Sequence, residues 1–256
     1  MKQHVYPCMY SDEESYWWYV ARRTIIMDQV DSLIASEAKD AGRTGWRLLD
    51  FGCGTGRNLL ELEKRGIACG LDASAVALEF CRKRGLQQVA LIDPQQLSLG
   101  ENPFGEPFDL VLMADVLEHV PDDEGALRQL ALLLRPGGLL LITAPAYEFL
   151  WSGEDFVSQH ERRYTARRLA RLVRAAGYDI VRLTYFNSIL FPIQVAAILW
   201  NRVFHPKSLY RTSVVQLPHG VNSVLTRIFS LESAVIKRMR LPLGGSILCC
   251  GRRRTP

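Results

Sequence analysis

Short, continuous apolar runs recur along the chain and are separated by segments whose apolar residues repeat at helical spacing. Runs that are apolar at nearly every position are typical of strands buried on both faces of a parallel sheet. The intervening segments carry helix signals, often a Ser or Thr before the first turn and a Gly after the last. The pattern therefore predicts an open α/β sheet. The predicted strands are residues 48–51, 68–71, 88–92, 108–113, 139–144, 178–186 and 246–251.

The first predicted helix, residues 11–36, begins at Ser11 and has Glu14 three positions later, as in a capping box. Ser74 and Thr165 are expected to cap two later helices, because a hydroxyl can accept from the unpaired backbone N–H groups of the first turn. The two capped helices are predicted at residues 75–84 and 166–176, and two more helices at residues 57–65 and 124–134.

Three glycines at alternate positions, Gly52, Gly54 and Gly56, follow the first predicted strand. A strand, a glycine turn and a helix in this order place a ligand site at the carboxyl edge of an open α/β sheet. The spacing of these glycines differs from the GxGxxG of dinucleotide sites, and Asp50 lies two residues before the first glycine. A carboxylate here favours a cationic or amino-bearing ligand, and Asp72 at the next strand tip can accept from both hydroxyls of a ribose. A tight turn without a ligand is the alternative.

The segment 50–56, followed by Asp72, resembles the first two motifs of class I S-adenosylmethionine (SAM) dependent methyltransferases. Residues 114–120 and 135–138 resemble later motifs of the same family, so that the likeness covers about residues 48–186. It implies a Rossmann-like fold: a mostly parallel seven-stranded sheet with helices on both faces and an antiparallel edge strand. It also implies SAM as cofactor and S-adenosylhomocysteine as product. This chain differs from the family pattern by a predicted helical insertion before the last strand.

The resemblance assigns the cofactor-binding residues. Asp50 would attract the methionine amino group, Asp72 would bind the ribose and Asp93 would accept from the adenine amino group. Arg22, on the leading helix, would bind the methionine carboxylate, with Trp18 against the cofactor or substrate. The remaining cofactor contacts implied by the motifs are Gly52, Cys53, Gly54, Thr55, Gly56, Ala73 and Ala114.

A long segment after the fifth predicted strand, residues 145–164, is expected to be a loop at the edge where substrates enter. It contains His160, which is the first choice for a general base, with Tyr164 as its expected partner. His119, in the motif after the fourth strand, is the second choice. A lid held by its own apolar side chains is the alternative interpretation of this segment.

Composition is ordinary, with a formal net charge of +4 over 256 residues, but the charge is unevenly distributed. After Asp179 the only acidic residue is Glu232, which indicates either an anionic partner surface or a solvated basic face. The cysteines show no CxxC pair, and we expect a reduced, intracellular protein with no metal site, signal peptide or membrane span. The predicted location is the cytoplasm, with peripheral contact at the inner membrane face as an extension.

The chain is expected to form one domain with an N-terminal helical cover (1–45), a SAM-binding core (46–186), an insertion (187–245) and a last strand with a frayed tail (246–256). The insertion contains an apolar segment, 189–204, and an amphipathic one, 221–241. It can be a helical cap over the site, a membrane-surface or lipid-substrate platform, or a homodimer interface.

These observations predict a SAM-dependent methyltransferase that acts on a small molecule, which can be hydrophobic or lipid-linked. A nucleic-acid target is not expected, because no RNA-binding appendage or basic aromatic platform is present. The alternatives are a SAM-binding protein that serves as a non-catalytic partner, or a methyltransferase that acts on a soluble metabolite or a macromolecule.

Overall fold

The computed structural model describes residues 5–41, 45–92, 102–205 and 217–255. The strands are β1 Arg47–Phe51, β2 Ile67–Asp72, β3 Val89–Leu91, β4 Phe108–Ala114, β5 Leu134–Pro145, β6 Tyr178–Phe186 and β7 Ser246–Arg253. They form one seven-stranded sheet in the order β3-β2-β1-β4-β5-β7-β6. Strands β1 to β5 pair in parallel, and β7 is antiparallel to both of its neighbours, β5 and β6. The predicted fold class is confirmed, with the antiparallel pairing at the β6 edge.

Helices cover both faces of the sheet, as the continuous apolar strands require. They are α1 Tyr6–Ser15, α2 Trp17–Ala41, α3 Arg57–Leu62, α4 Ala75–Lys83, α5 Asp123–Leu133, α6 Gly153–Ser158, α7 Ala166–Ala175, α8 Phe191–Phe204, α9 His219–Ser230 and α10 Glu232–Arg238. Successive strand residues point to opposite faces, so Leu48 packs towards α2 and α3, whereas Leu49 packs towards α5 and α7. Ser74 and Thr165 cap α4 and α7 as predicted.

The N-terminal helix predicted at 11–36 is in fact two helices, and Ser11 lies inside α1 rather than capping it. The chain is extended at Tyr16, between the two helices. The side chain of Asn222, on α9, accepts from the backbone N–H of Trp17 at 2.9 Å and donates to the carbonyl of Ser15 at 2.8 Å. A residue more than two hundred positions away therefore stabilises the break, which no local pattern can reveal.

Three further predictions need correction. Residues 145–164 are not a loop throughout, because they contain a 3₁₀ turn at Glu148–Leu150 and the helix α6. The amphipathic segment 221–241 divides into α9 and α10, where the buried carboxylate of Glu232 accepts from the backbone N–H of Ser188 and of Ile189, both at 2.7 Å. The C-terminal tail is not frayed as far as residue 254, since β7 extends to Arg253 and Arg254 donates its backbone N–H to the carbonyl of Gly177.

The insertion between β6 and β7 does not form a pair of helices packed mainly on each other. Helices α9 and α10 pack along α2, whereas α8 lies beside the segment that follows β5, where Arg202 donates to the carbonyl of Trp151 at 2.9 Å. Within α8 only Ile198 is buried. Among the described residues, none of the helices combines the length and the apolar character needed to cross a bilayer.

Candidate functional site

The glycine turn lies between β1 and α3 at the carboxyl edge of the sheet. Gly52, Gly54 and Gly56 all have positive φ angles, of 73°, 54° and 86°, which side chains rarely adopt. A Cβ on Gly52 would meet the Val116 side chain at 2.4 Å. The backbone N–H groups of Gly52 and Cys53 both donate to the carbonyl of Leu71. These two N–H groups are therefore not available to a ligand. What the turn contributes at these positions is space for a ligand, because no side chain projects from Gly52.

Asp50 lies directly beneath this turn and is 1% exposed. One of its carboxylate oxygens, Oδ2, has no hydrogen-bond partner among the described residues. Burial, followed by the nearby carboxylates of Glu13 and Asp72, raises the pKa of Asp50 to about 8. A buried carboxyl with an unused oxygen and two acidic neighbours favours a cationic group beside it. The amino group of SAM satisfies this requirement.

Asp72 ends β2, and each of its oxygens accepts from one backbone N–H: Oδ2 from Gly54 and Oδ1 from Ser74, both at 2.8 Å. Asp72 thus holds the glycine turn in place and keeps further lone pairs for a ribose. Burial raises its pKa more than these hydrogen bonds lower it. Ala73, next to it, is exposed. Asp93, the predicted adenine contact, lies outside the described residues.

Helix α1 lies over the glycine turn. The Thr55 hydroxyl donates to the carboxylate of Glu13, which is buried on α1, and a Cβ on Gly54 would meet the Met9 side chain at 3.0 Å. Cys53 is buried in the turn, and its Sγ lies 3.9 Å from that of Cys81. The buried Glu13 was not singled out by the sequence motifs, because it becomes part of the site only through the packing of α1.

Arg22 is buried on α2, and its Nη1 donates to the carboxylate of Asp115, which follows β4. The Trp18 ring covers the guanidinium at 4.6 Å. The Nε atom of Arg22 has no partner among the described residues, so one donor remains for a carboxylate ligand. Ala114, the last residue of β4, and Asp115, which has a positive φ of 55°, lie next to Arg22 at the carboxyl end of this strand. Backbone strain of this kind is common at functional sites.

His160 is oriented by a carboxylate that the sequence analysis did not assign. Its Nδ1 lies 2.8 Å from Oδ1 of Asp155, which also accepts two hydrogen bonds from the guanidinium of Arg163 at 2.8 Å. Burial opposes ionisation of Asp155, but His160 and Arg163 outweigh it and hold the pKa of this carboxyl well below its usual range. Because an ionised carboxylate can only accept, His160 Nδ1 carries the proton. The neutral ring then has its lone pair on Nε2.

His119 lies against His160, with the ring centres 4.7 Å apart and the planes at 78°. Its Nδ1 is 3.4 Å from the carbonyl of Gln159, which also leaves the lone pair of the neutral ring on Nε2. Burial, followed by the neighbouring His160, lowers the pKa of His119 to about 4. This ring is therefore neutral at physiological pH.

Glu118 completes this group and was missed by the sequence analysis. It is 0% exposed, and neither carboxylate oxygen has a partner among the described residues. Burial and the neighbouring Asp115 raise its pKa well above the ordinary range. Glu118, His119 and His160 each offer one atom, all within 4.8 Å of one another, and so could hold a metal ion; the sequence analysis did not single out this group. We call these three residues the Glu-His-His cluster.

The structure does not pair Tyr164 with His160. The Tyr164 ring is buried, and its hydroxyl lies 3.0 Å from Oδ2 of Asp123 and 3.3 Å from the carbonyl of Leu117. Burial, followed by Asp123, raises the pKa of this phenol. Tyr164 therefore fixes the segment after β5 to the start of α5 and is not positioned to assist His160.

The fold and this edge define a class of protein: an α/β domain with a glycine turn and acidic side chains at the carboxyl edge of its sheet. The family model described as methyltransferase domain matches residues 20–183. The chain belongs to this methyltransferase domain family, and SAM is its cofactor.

Two comparisons with curated proteins support this. A ubiquinone biosynthesis O-methyltransferase of Aeromonas salmonicida (strain A449) is 32% identical over 155 residues, which are 54% of this chain and 65% of that protein. A protein of the same name from Pseudomonas aeruginosa (strain LESB58) is 31% identical over 165 residues, or 57% of this chain and 71% of that protein. The chain thus spans less than two thirds of the length of the Aeromonas relative.

A solved structure shows the same fold. The plantazolicin methyltransferase BamL, in complex with a triazolic desmethylPZN analog and SAH, superposes with a TM-score of 0.58 at 14% identity. The match covers 98% of this chain and 90% of that one. At this identity the likeness concerns the fold and not the acceptor.

Proposed function

We propose that this chain transfers the methyl group of SAM to a hydroxyl oxygen of a hydrophobic small molecule. The observation that carries the proposal is the Glu-His-His cluster at the carboxyl edge of the sheet, adjacent to the cofactor turn. SAM supplies a methyl group already activated on a sulfonium, so the chain must bind, orient and deprotonate the acceptor. The curated relatives are named as O-methyltransferases, which favours oxygen as the accepting atom.

Cofactor binding is assigned to the acidic strand tips. Asp50 would ionise when the SAM amino group arrives, because its Oδ2 has no other partner among the described residues. Asp72 would accept from the ribose while it continues to hold the backbone of Gly54. Arg22 would offer Nε to the methionine carboxylate while Nη1 stays on Asp115.

His160 is proposed as the base that takes the hydroxyl proton. Asp155 holds the ring through Nδ1, so Nε2 is directed away from this carboxylate and remains free to accept. The ionised Asp155 also stabilises the imidazolium that forms when the proton is transferred. General-base assistance of this type contributes about 10²- to 10⁴-fold to a rate.

Glu118 favours a divalent cation as an alternative activating group, because an ion held by the Glu-His-His cluster would use His160 Nε2 as a ligand and His160 would then not act as the base. A fully buried carboxylate with two unused oxygens is costly unless it binds a cation, and two imidazole nitrogens lie beside it. The hydrogen bond from His160 to Asp155 is the kind of outer contact that orients histidine ligands. A cation here would lower the pKa of a coordinated hydroxyl. Loss of turnover on treatment with a chelator, and recovery with Mn²⁺ or Mg²⁺, would show that a cation and not His160 as base activates the acceptor; turnover unchanged by a chelator would leave His160 as the base.

The acceptor is proposed to be apolar because aromatic rings surround the segment after β5. Tyr147 stacks on Tyr185 at 5.1 Å and lies 5.9 Å from Phe191, the first residue of α8. Phe149 is half exposed beside them. Peripheral contact of the insertion with a membrane would bring such an acceptor to this edge, whereas a homodimer would instead cover the exposed face of α8.

The test is to incubate the full chain with methyl-labelled SAM and a metabolite extract, and then to identify the molecule that acquires the label. Labelling of a hydroxyl oxygen on a hydrophobic molecule is expected. The matched control is Asp155→Asn, which keeps the size of the side chain but removes the charge that orients His160. Bound SAM with no labelled product in any extract would instead identify a non-catalytic SAM-binding protein and refute the proposal.

A further inference from the structure

A groove lies between α2, α9 and α10, on the face of the sheet opposite α5 and α7. It encloses about 670 Å³ and is open to solvent. None of the residues that line it belongs to the cofactor turn or to the Glu-His-His cluster. Its polar lining is Asp28, Arg227, Ser230, Ser233, Lys237 and Arg238.

The groove carries a net positive charge. Asp28 is the only carboxylate among its lining residues, and it already binds Lys237 at 3.0 Å and accepts from the Ser233 hydroxyl. Arg227 and Arg238 have no ion pair with a described carboxylate. Two guanidinium groups therefore remain for an anion, and guanidinium groups suit the oxygens of a phosphate.

An apolar stripe runs along the same two helices. Val221 and Val224 are exposed one turn apart on α9, Leu231 between the helices is 64% exposed, and Met239 directly after α10 is 57% exposed. The spacing of three and seven residues keeps Val221, Val224 and Leu231 on or near one face of α9 and its C-cap, and Arg227 falls between them; Met239 follows α10 in extended backbone. We call this set the α9–α10 stripe. Large apolar side chains that are interleaved with arginines are typical of helices lying in a membrane interface.

We propose that the groove binds the phosphate group of an anionic phospholipid while the α9–α10 stripe enters the interface between headgroups and acyl chains. Charge complementarity selects this occupant, because the chain beyond Asp179 has one acidic residue, the buried Glu232. The aliphatic stripe argues against nucleic acid, which is bound through stacking aromatic rings and phosphate contacts. The inference rests on the membrane contact in the proposed function, names its lipid partner and places that contact on α9 and α10.

The experiment measures co-sedimentation of the full chain with vesicles of phosphatidylcholine alone or with phosphatidylglycerol added. Wild type is expected to bind only the anionic vesicles, and less strongly as salt increases. Each basic side chain near such a surface strengthens binding several-fold, so R227Q/R238Q is expected to bind about 10-fold more weakly or worse. The matched control is R167Q/R171Q, which removes two exposed arginines from α7 on the opposite face and should bind as wild type does.

A second variant separates the stripe from the charges. Val224→Ser should weaken vesicle binding but leave its salt dependence unchanged, because no charge is removed. Three results would each overturn the proposal. The first is equal vesicle binding by R227Q/R238Q and its control, and the second is equal binding of wild type to both vesicle types. The third is displacement of the protein from vesicles by inorganic phosphate or RNA at a phosphate concentration equal to that of the lipid. Calorimetric binding of S-adenosylhomocysteine and transfer of label from methyl-labelled SAM to a metabolite extract without vesicles should be unchanged in R227Q/R238Q. The lipid site and the proposed methyl transfer can therefore fail independently.

Discussion

Binding of the cofactor is expected to release a proton from Asp50. The pKa of this carboxyl is about 8 in the free protein, because it is buried beside Glu13 and Asp72 and its Oδ2 has no partner among the described residues. At pH 7 about nine tenths of the protein therefore carries a protonated Asp50. An ammonium group beside Oδ2 lowers this pKa, so binding at pH 7 should release close to one proton.

The sign and size of the pH effect follow from this pKa. Below about pH 8, each unit of decrease lowers the fraction of free protein with an ionised Asp50 by up to tenfold, so affinity should fall by up to about tenfold per unit between pH 7.5 and 5.5. Asp50→Asn removes the ionisable group and should flatten this dependence. The variant should bind about 100-fold more weakly than wild type at pH 7.5, and the difference should shrink as the pH decreases.

Calorimetry with S-adenosylhomocysteine, in buffers of different ionisation enthalpy, measures both the affinity and the number of protons released. S-adenosylhomocysteine has the same amino group as SAM and is not consumed. The control is Asp31→Asn, a substitution of an exposed carboxyl that pairs with Arg65 far from the turn. If wild type releases no proton at pH 7, or if Asp50→Asn shows the same pH dependence as wild type, Asp50 does not face the amino group.

Four further outcomes are expected. Asp72→Ala should abolish SAM binding in calorimetry, because it removes the ribose acceptor and also releases Gly54; unchanged affinity would contradict the assignment. His160→Gln should lower kcat by about 10²- to 10⁴-fold with SAM affinity retained, whereas a full loss of SAM binding would mean that His160 acts through the fold. Asp50→Asn should raise the free energy of unfolding of the free protein relative to wild type, measured with urea, by more at pH 7 than at pH 4.5, because the raised pKa of Asp50 costs wild type stability above the unfolded value near 4; an equal gain at both pH values would contradict this. Asn222→Ala should lower the free energy of unfolding by about 1–2 kcal/mol, because two backbone groups at the junction of α1 and α2 lose their partner; an unchanged urea midpoint would show that water replaces the side chain.

Much of the cofactor side could be predicted because its signals are local. Positive φ angles at Gly52, Gly54 and Gly56, and carboxylates at the ends of β1 and β2, are properties of short segments. The acceptor side was predicted only in part. His119 and His160 were chosen separately, and the sequence does not show that their rings are 4.7 Å apart. Asp155 was missed, although it lies five residues before His160, because α6 is what directs it towards that ring.

The sequence by itself determined the order of strands and helices, the glycine turn and the acidic strand tips. These features depend on side-chain periodicity and backbone conformation within about ten residues, and a single chain displays both. Tertiary packing alone decided where the N-terminal helix divides, why Glu118 has no partner within the described part of the chain, and which face the insertion leaves exposed. Each of these depends on contacts between segments far apart in the chain. Burial, which changes the pKa values and removes or supplies hydrogen-bond partners, arises only when those segments meet.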